Sequence, residues 1–246
     1  REIKQRGVRT LGIINAVGST IAREVDGGVY VHAGPEISVA STKAFTSQVS
    51  AMLLFGIQVA QAKGVGLEET AKYIAELEQL PVEIENVLKA SEEEAKSVAA
   101  KYADYDHALF LGRDIGFPTA LEGSLKLKEI SYIHADGYPA GELEHGTLAL
   151  VDDRFFEVFI VLEGWLFDKS VSAIQEVNAR GGHILAITNS KKEIEAETVV
   201  RVETKLELLA PLVLNVFQQL FAYYVAVARG NDVDQPRNLA KSVTVE

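Results

Sequence analysis

Four short segments carry the residue types that proton transfer and imine chemistry require. The first is Ala-Leu-Glu-Gly-Ser-Leu-Lys-Leu-Lys-Glu-Ile-Ser-Tyr at residues 120–132. On a helix, Glu122, Lys126, Glu129 and Ile133 fall on one stripe. Such a stripe is either a solvated face of i,i+4 ion pairs or a carboxylate held beside an amine in a cleft, able to move a proton between adjacent carbons. The second segment sets Gly137, Gly141 and Gly146 around His145, one of 5 histidines. It lies between strand-forming stretches, where loops concentrate catalytic groups; a surface loop histidine is the other reading. The third, Ile-Ser-Val-Ala-Ser-Thr-Lys-Ala-Phe at 37–45, opens an apolar helix. Ser41 is a natural N-cap there, and hydroxyls beside free helix amides suit a phosphate or sugar hydroxyls. The fourth is the polar tail 230–246, which carries Lys241. A lysine whose site lowers its pKa becomes a Schiff-base nucleophile, whereas a frayed terminus is the default for such a segment.

Other chemistries find no support. There is no cysteine, which removes disulfides, thiolate metal sites and a cysteine nucleophile. No H-E-x-x-H, Walker-type or dinucleotide-binding glycine motif occurs, and neither metal nor cofactor is expected. Lys and Arg number 24 against 35 Asp and Glu, a net charge of -11. That balance disfavours nucleic acid and anionic membrane surfaces as partners. The longest apolar stretch, 208–227, is interrupted by Gln218 and Gln219 and reads as a buried helix. A cytoplasmic location fits the absence of cysteine.

The elements that must position these segments form an internal repeat. Residues 1–15 align without a gap on residues 175–189, with identities at Glu2/Glu176, Arg6/Arg180, Gly7/Gly181, Leu11/Leu185, Ile13/Ile187 and Asn15/Asn189. Each copy reads as a helix end, a glycine stop and a short buried strand. A second strand follows (28–32 and 199–202), then a long apolar helix (42–63 and 209–229). The second copy has more upstream: strands at 107–112 and 155–162 and helices at 118–133 and 165–179. Between the copies, residues 67–104 are helical, and Pro81 is expected to break them into a hairpin of two helices. Short apolar strands alternating with helices predict an α/β fold with a doubly wound parallel sheet, whose ligands bind at the carboxyl ends of the strands.

Together the four segments resemble the isomerase region of the glucosamine-6-phosphate synthase (glutamine–fructose-6-phosphate aminotransferase, isomerizing) family. The matching stretches are Ala-Ser-Thr-Lys-Ala-Phe-Thr (40–46), residues 120–135, Ala-Gly-Glu-Leu-Glu-His-Gly (140–146) and Asp-Val-Asp-Gln-Pro-Arg-Asn-Leu-Ala-Lys-Ser-Val-Thr-Val-Glu (232–246). The resemblance covers essentially the whole chain and implies SIS (sugar-isomerase), flavodoxin-like units. It implies that Lys241 forms a Schiff base with open-chain fructose 6-phosphate, on the way to glucosamine 6-phosphate. His145 would assist ring opening, donated across a homodimer interface by the neighbouring subunit. Glu129 would move a proton between C1 and C2, supported by Lys126, while Val39, Ser41 and Ala240 touch the sugar.

The implied organisation is the C-terminal part of a first SIS domain at 1–64, a helical connector at 65–104, a second SIS domain at 105–231 and a tail at 232–246 closing the site. Two features of the family do not appear in the sequence. One is the glutaminase domain with its cysteine nucleophile, which would supply ammonia. The other is a Ser-Gln-Ser-Gly-Glu-Thr-type phosphate loop, which would lie just upstream of Arg1. The chain by itself is therefore expected to bind fructose 6-phosphate weakly.

Overall fold

The computed structural model describes residues 1–241. The elements run, in chain order, α1 (Glu2–Gln5), β1 (Leu11–Ile14), α2 (Thr20–Glu24), β2 (Gly27–Tyr30), α3 (Lys43–Ala62), α4 (Leu67–Tyr102), β3 (His107–Gly112), α5 (Gly116–Ser131), β4 (His134–Pro139), β5 (Phe155–Val161), α6 (Phe167–Asn178), β6 (His183–Thr188), β7 (Thr198–Arg201) and α7 (Ala210–Ala228). The chain forms two compact units, Arg1–Leu77 and Glu78–Glu246.

In the second unit, five strands form one parallel sheet in the order β4-β3-β5-β6-β7. Strand order reverses between β3 and β5, which makes the crevice beyond Gly112 and Val161 the switch point of a doubly wound sheet. Both faces are covered, so strands such as Phe-Phe-Glu-Val-Phe-Ile-Val are apolar at every position but Glu157 rather than alternating. On one face Leu111, Phe159, Val161 and Ile184 pack with Phe167, Ile174 and Val177 of α6. On the other, Phe221 of α7 meets Tyr102 and Phe156 edge-on, with ring centroids 6.2 Å apart. Helix α7 is the one described helix long and apolar enough to cross a membrane, but 72% of that stretch is buried inside the protein, as in a core helix.

The first unit carries a two-stranded parallel sheet, β1 with β2. Its counterpart of β6 is β1; among the described residues β6 has a neighbour on each side, whereas β1 pairs with β2 alone. Helix α3 buries Ile57 and leaves Met52, Leu54 and Phe55 exposed.

The repeat seen in the sequence recurs in the backbone. Gly7 and Gly181 both adopt left-handed φ, +75° and +76°. The next amide donates back across the helix end in each copy, Val8 to Ile3 O at 3.3 Å and Gly182 to Val177 O at 3.2 Å. The amide after the second strand also pairs alike, Val31 N–H to Ile14 O and Val202 N–H to Thr188 O, both at 2.9 Å. The expected hairpin at Pro81 does not form: α4 keeps Pro81 in its interior. Proline supplies no N–H to the Leu77 carbonyl, a cost of about 3 kcal/mol. Leu80, Val87, Ala95, Val98, Ala99 and Tyr102 are buried along the second unit's part of the helix, which offsets that cost.

Candidate active site

Helix α5 is fixed at both ends of its inner face. Gly112 and Gly116 let β3 turn tightly into it, since a Cβ at Gly112 would run into the Gly116 backbone. Gly123 lets it approach α7, where a side chain would collide with Gln218 and the Phe110 ring. Gln218 Nε2 donates to the Thr119 carbonyl at 3.2 Å, tying the two helices together in a buried position.

This packing takes the acidic stripe out of solvent. Lys126 is not on a solvated face: its side chain is 3% exposed, and those of Glu122 and Glu129 are 10% and 19% exposed. The Lys126 ammonium donates to Glu129 Oε2 at 2.8 Å and lies 3.5 Å from Glu122 Oε1. One buried amine is thus shared by two carboxylates one turn apart on either side. Such a group is stable only while its partners stay in place, so the Glu129 carboxylate is held in one position with a cation beside it. That arrangement suits a base that must pick up and return a proton.

His145 is not brought to this cluster. It ends a single turn, Leu143–His145, between Glu142 and Gly146, whose φ is 138°. Leu143 and Ala140 are buried and root the loop, and the Ala140 amide donates to Gly112 O at 2.8 Å. Arg113, at the switch point, donates from Nη2 to the Ala140 carbonyl at 3.2 Å. The imidazole itself is 74% exposed, 3.8 Å from Glu142 Oε2.

In the first unit the helix start departs from expectation. Ser41 is not the N-cap of α3; Thr42 is, and its side chain makes no capping bond. The Glu36 carboxylate does the capping instead, accepting from the amides of Thr42 at 2.9 Å and Ala44 at 3.0 Å through Oε1. The Ser41 hydroxyl donates to the same oxygen at 3.3 Å. A carboxylate six to eight residues upstream carries two amides and a hydroxyl, and so outcompetes a serine side chain that can satisfy one. Val39 and Ser41 stand on this turn; Ala240 and Lys241 lie at the exposed end of the described tail. Residues 242–246 of the expected tail lie outside the described residues.

Tyr132, Arg113 and Glu36 were not singled out in the sequence.

A model of the SIS domain matches residues 1–58 and 101–229, bracketing much of α4. The chain belongs to the SIS domain family. The two SIS-matched stretches contain the two copies of the internal repeat. Over 250 residues the chain is 51% identical to a glutamine–fructose-6-phosphate aminotransferase [isomerizing] of Thermus thermophilus, covering 100% of this chain and 41% of that protein. The protein of the same description from Bacteroides thetaiotaomicron is 46% identical over 249 residues, covering 99% of this chain and 40% of its own length. This SIS chain therefore spans about two fifths of the curated relatives it matches. Among solved structures, the C-terminal domain of glucosamine-fructose-6-phosphate aminotransferase from Francisella tularensis superposes with a TM-score of 0.91 at 39% identity, covering 96% of this chain and 68% of that one.

Proposed function

We propose that this chain is the isomerase part of a glutamine–fructose-6-phosphate aminotransferase, which makes glucosamine 6-phosphate from fructose 6-phosphate and glutamine-derived ammonia. The observation that carries the reading is the 51% identity to a relative of that description across the whole chain. The buried Glu122–Lys126–Glu129 cluster supports it chemically.

In this reading the Lys241 amine attacks C2 of the open-chain ketose and expels water, leaving an imine. Ammonia displaces the lysine at C2. Glu129 then takes a proton from C1; the electron pair of that bond forms C1=C2 while the C2=N pair moves to nitrogen, which takes up a proton. Glu129 returns its proton to C2 and the O1 hydroxyl gives up its proton as C1=O forms, which yields the 2-amino aldose with Glu129 as it began. Lys126 holds the Glu129 carboxylate in place. His145 assists ring opening in a neighbouring subunit of a homodimer; its exposed imidazole on a rooted loop is in keeping with that. Val39, Ser41 and Ala240 touch the sugar. A glutaminase domain elsewhere in the longer protein supplies ammonia.

The test is Glu129→Gln in the longer protein, supplied with fructose 6-phosphate deuterated at C1. The wild type should release C1 deuterium to water or carry it to C2, and the variant should lose at least a hundredfold in that transfer while still binding the sugar phosphate. Unchanged transfer would exclude the proposed role of Glu129. An SIS module that only senses a sugar phosphate would bind but show no transfer in either protein.

A further inference from the structure

The tail that carries Lys241 is not loosely attached where it leaves α7. Asn231 Nδ2 donates to two carbonyls at the end of α5, Ile130 O at 3.1 Å and Ser131 O at 3.0 Å. Asp232 Oδ1 then accepts from the amides of Asp234 and Gln235 and folds the chain back. Pro236 is buried. The Arg237 amide donates to Tyr132 Oη at 2.9 Å, and its guanidinium lies over the Tyr132 ring at 4.2 Å from the centroid. Tyr132 closes α5 in a left-handed conformation, φ 65° and ψ 13°, uncommon for an aromatic residue. Asn238, also left-handed at φ 63°, turns the chain immediately after the contact.

We propose that Tyr132 and Arg237 form a clasp that registers Lys241 with the Glu129 carboxylate, making Tyr132 a positioning residue for the imine chemistry. The inference rests on the proposed function of Lys241 and Glu129. Both ends of the clasp are short: Tyr132 lies three residues beyond Glu129, and Arg237 four residues before Lys241. Four residues span at most about 14 Å, so the closed clasp confines the lysine to a small arc around the end of α5. Opening the clasp lengthens the tether that carries Lys241, and effective concentration falls as a tether grows beyond the span it must cover. The left-handed Tyr132 aims the ring and hydroxyl at the returning tail rather than along the helix.

The test uses the longer protein with fructose 6-phosphate and borohydride, following the reduced lysine adduct by intact mass. Tyr132→Phe/Arg237→Ala should slow adduct formation severalfold, lowering kcat with KM for fructose 6-phosphate unchanged. Tyr132→Phe alone, which keeps the ring and its packing, should fall between, and exchange of the residue 237 amide should quicken in both. A merely structural contact would lower melting temperature and leave the trapping rate of the folded protein unchanged. Trapping at the wild-type rate in the double variant overturns the clasp while leaving the Lys241 reading intact. No adduct in the wild type overturns both.

Discussion

Replacing Glu157 with glutamine should remove a pH dependence of stability that the wild type carries. Glu157 sits in the middle of the sheet, with no exposed surface. Among the described residues neither carboxylate oxygen has a hydrogen bond of good geometry; the His183 amide is the backbone group of another residue that acts on it. A Cβ on Gly182 would come within 2.9 Å of one of them, so only glycine leaves room for the group. Burial pushes the carboxyl from 4.5 up to about 7, against a smaller opposing pull from the His183 amide; Asp152 adds to the rise. In the unfolded chain the group ionises near its ordinary value, so between about pH 4.5 and 7 the folded state binds the extra proton. Stability therefore falls as pH rises through that window and levels off above it. The difference between 4.5 and about 7 corresponds to roughly 3 kcal/mol at about 1.4 kcal/mol per pH unit. Urea denaturation of wild type and Glu157→Gln at pH 5, 6, 7 and 8 separates this from other titrations, because His183, which pairs with Glu197 at 2.9 Å, and Asp152 are common to both proteins. The variant should gain on the wild type steadily up to about pH 7, by roughly 3 kcal/mol in all. A stability difference that stays constant from pH 5 to 8 would refute the reasoning.

Lys126→Met should destabilise the second unit by roughly 3–5 kcal/mol, because it leaves two carboxylates facing each other without their shared cation. Adding Glu122→Gln to that variant should recover part of the loss in urea denaturation at pH 7, whereas strict additivity would contradict the shared-cation picture. Gly123→Ala should cost about 1–3 kcal/mol by overpacking α5 against α7, seen as a drop in melting temperature of roughly 2–4 °C per kcal/mol; an unchanged melting temperature would mean the helices separate freely there.

Much of this architecture was legible in the sequence, for physical reasons that also mark where legibility stopped. Strands β3, β5 and β6 read clearly because a sheet covered on both faces makes its strands almost continuously apolar. The repeat read clearly because its glycine stops must be left-handed in both copies. Pro81 misled because a local rule about one missing N–H was outweighed by seven buried residues spread from Leu80 to Tyr102 along α4. Ser41 misled because capping is a competition, and Glu36 could satisfy two amides from outside the helix. The stripe at Glu122, Lys126 and Glu129 was visible as spacing, but whether it faced water depended on Gly123 and Gln218, which meet only in three dimensions. The Tyr132–Arg237 contact joins residues 105 positions apart, with no local pattern to announce it.

The most direct measurement of the central claim is peptide mass mapping of the longer protein after borohydride reduction in the presence of fructose 6-phosphate. The account predicts one reduced hexose phosphate adduct on Lys241 and none in Lys241→Ala. An adduct on another lysine, or undiminished glucosamine 6-phosphate formation by Lys241→Ala, would contradict it.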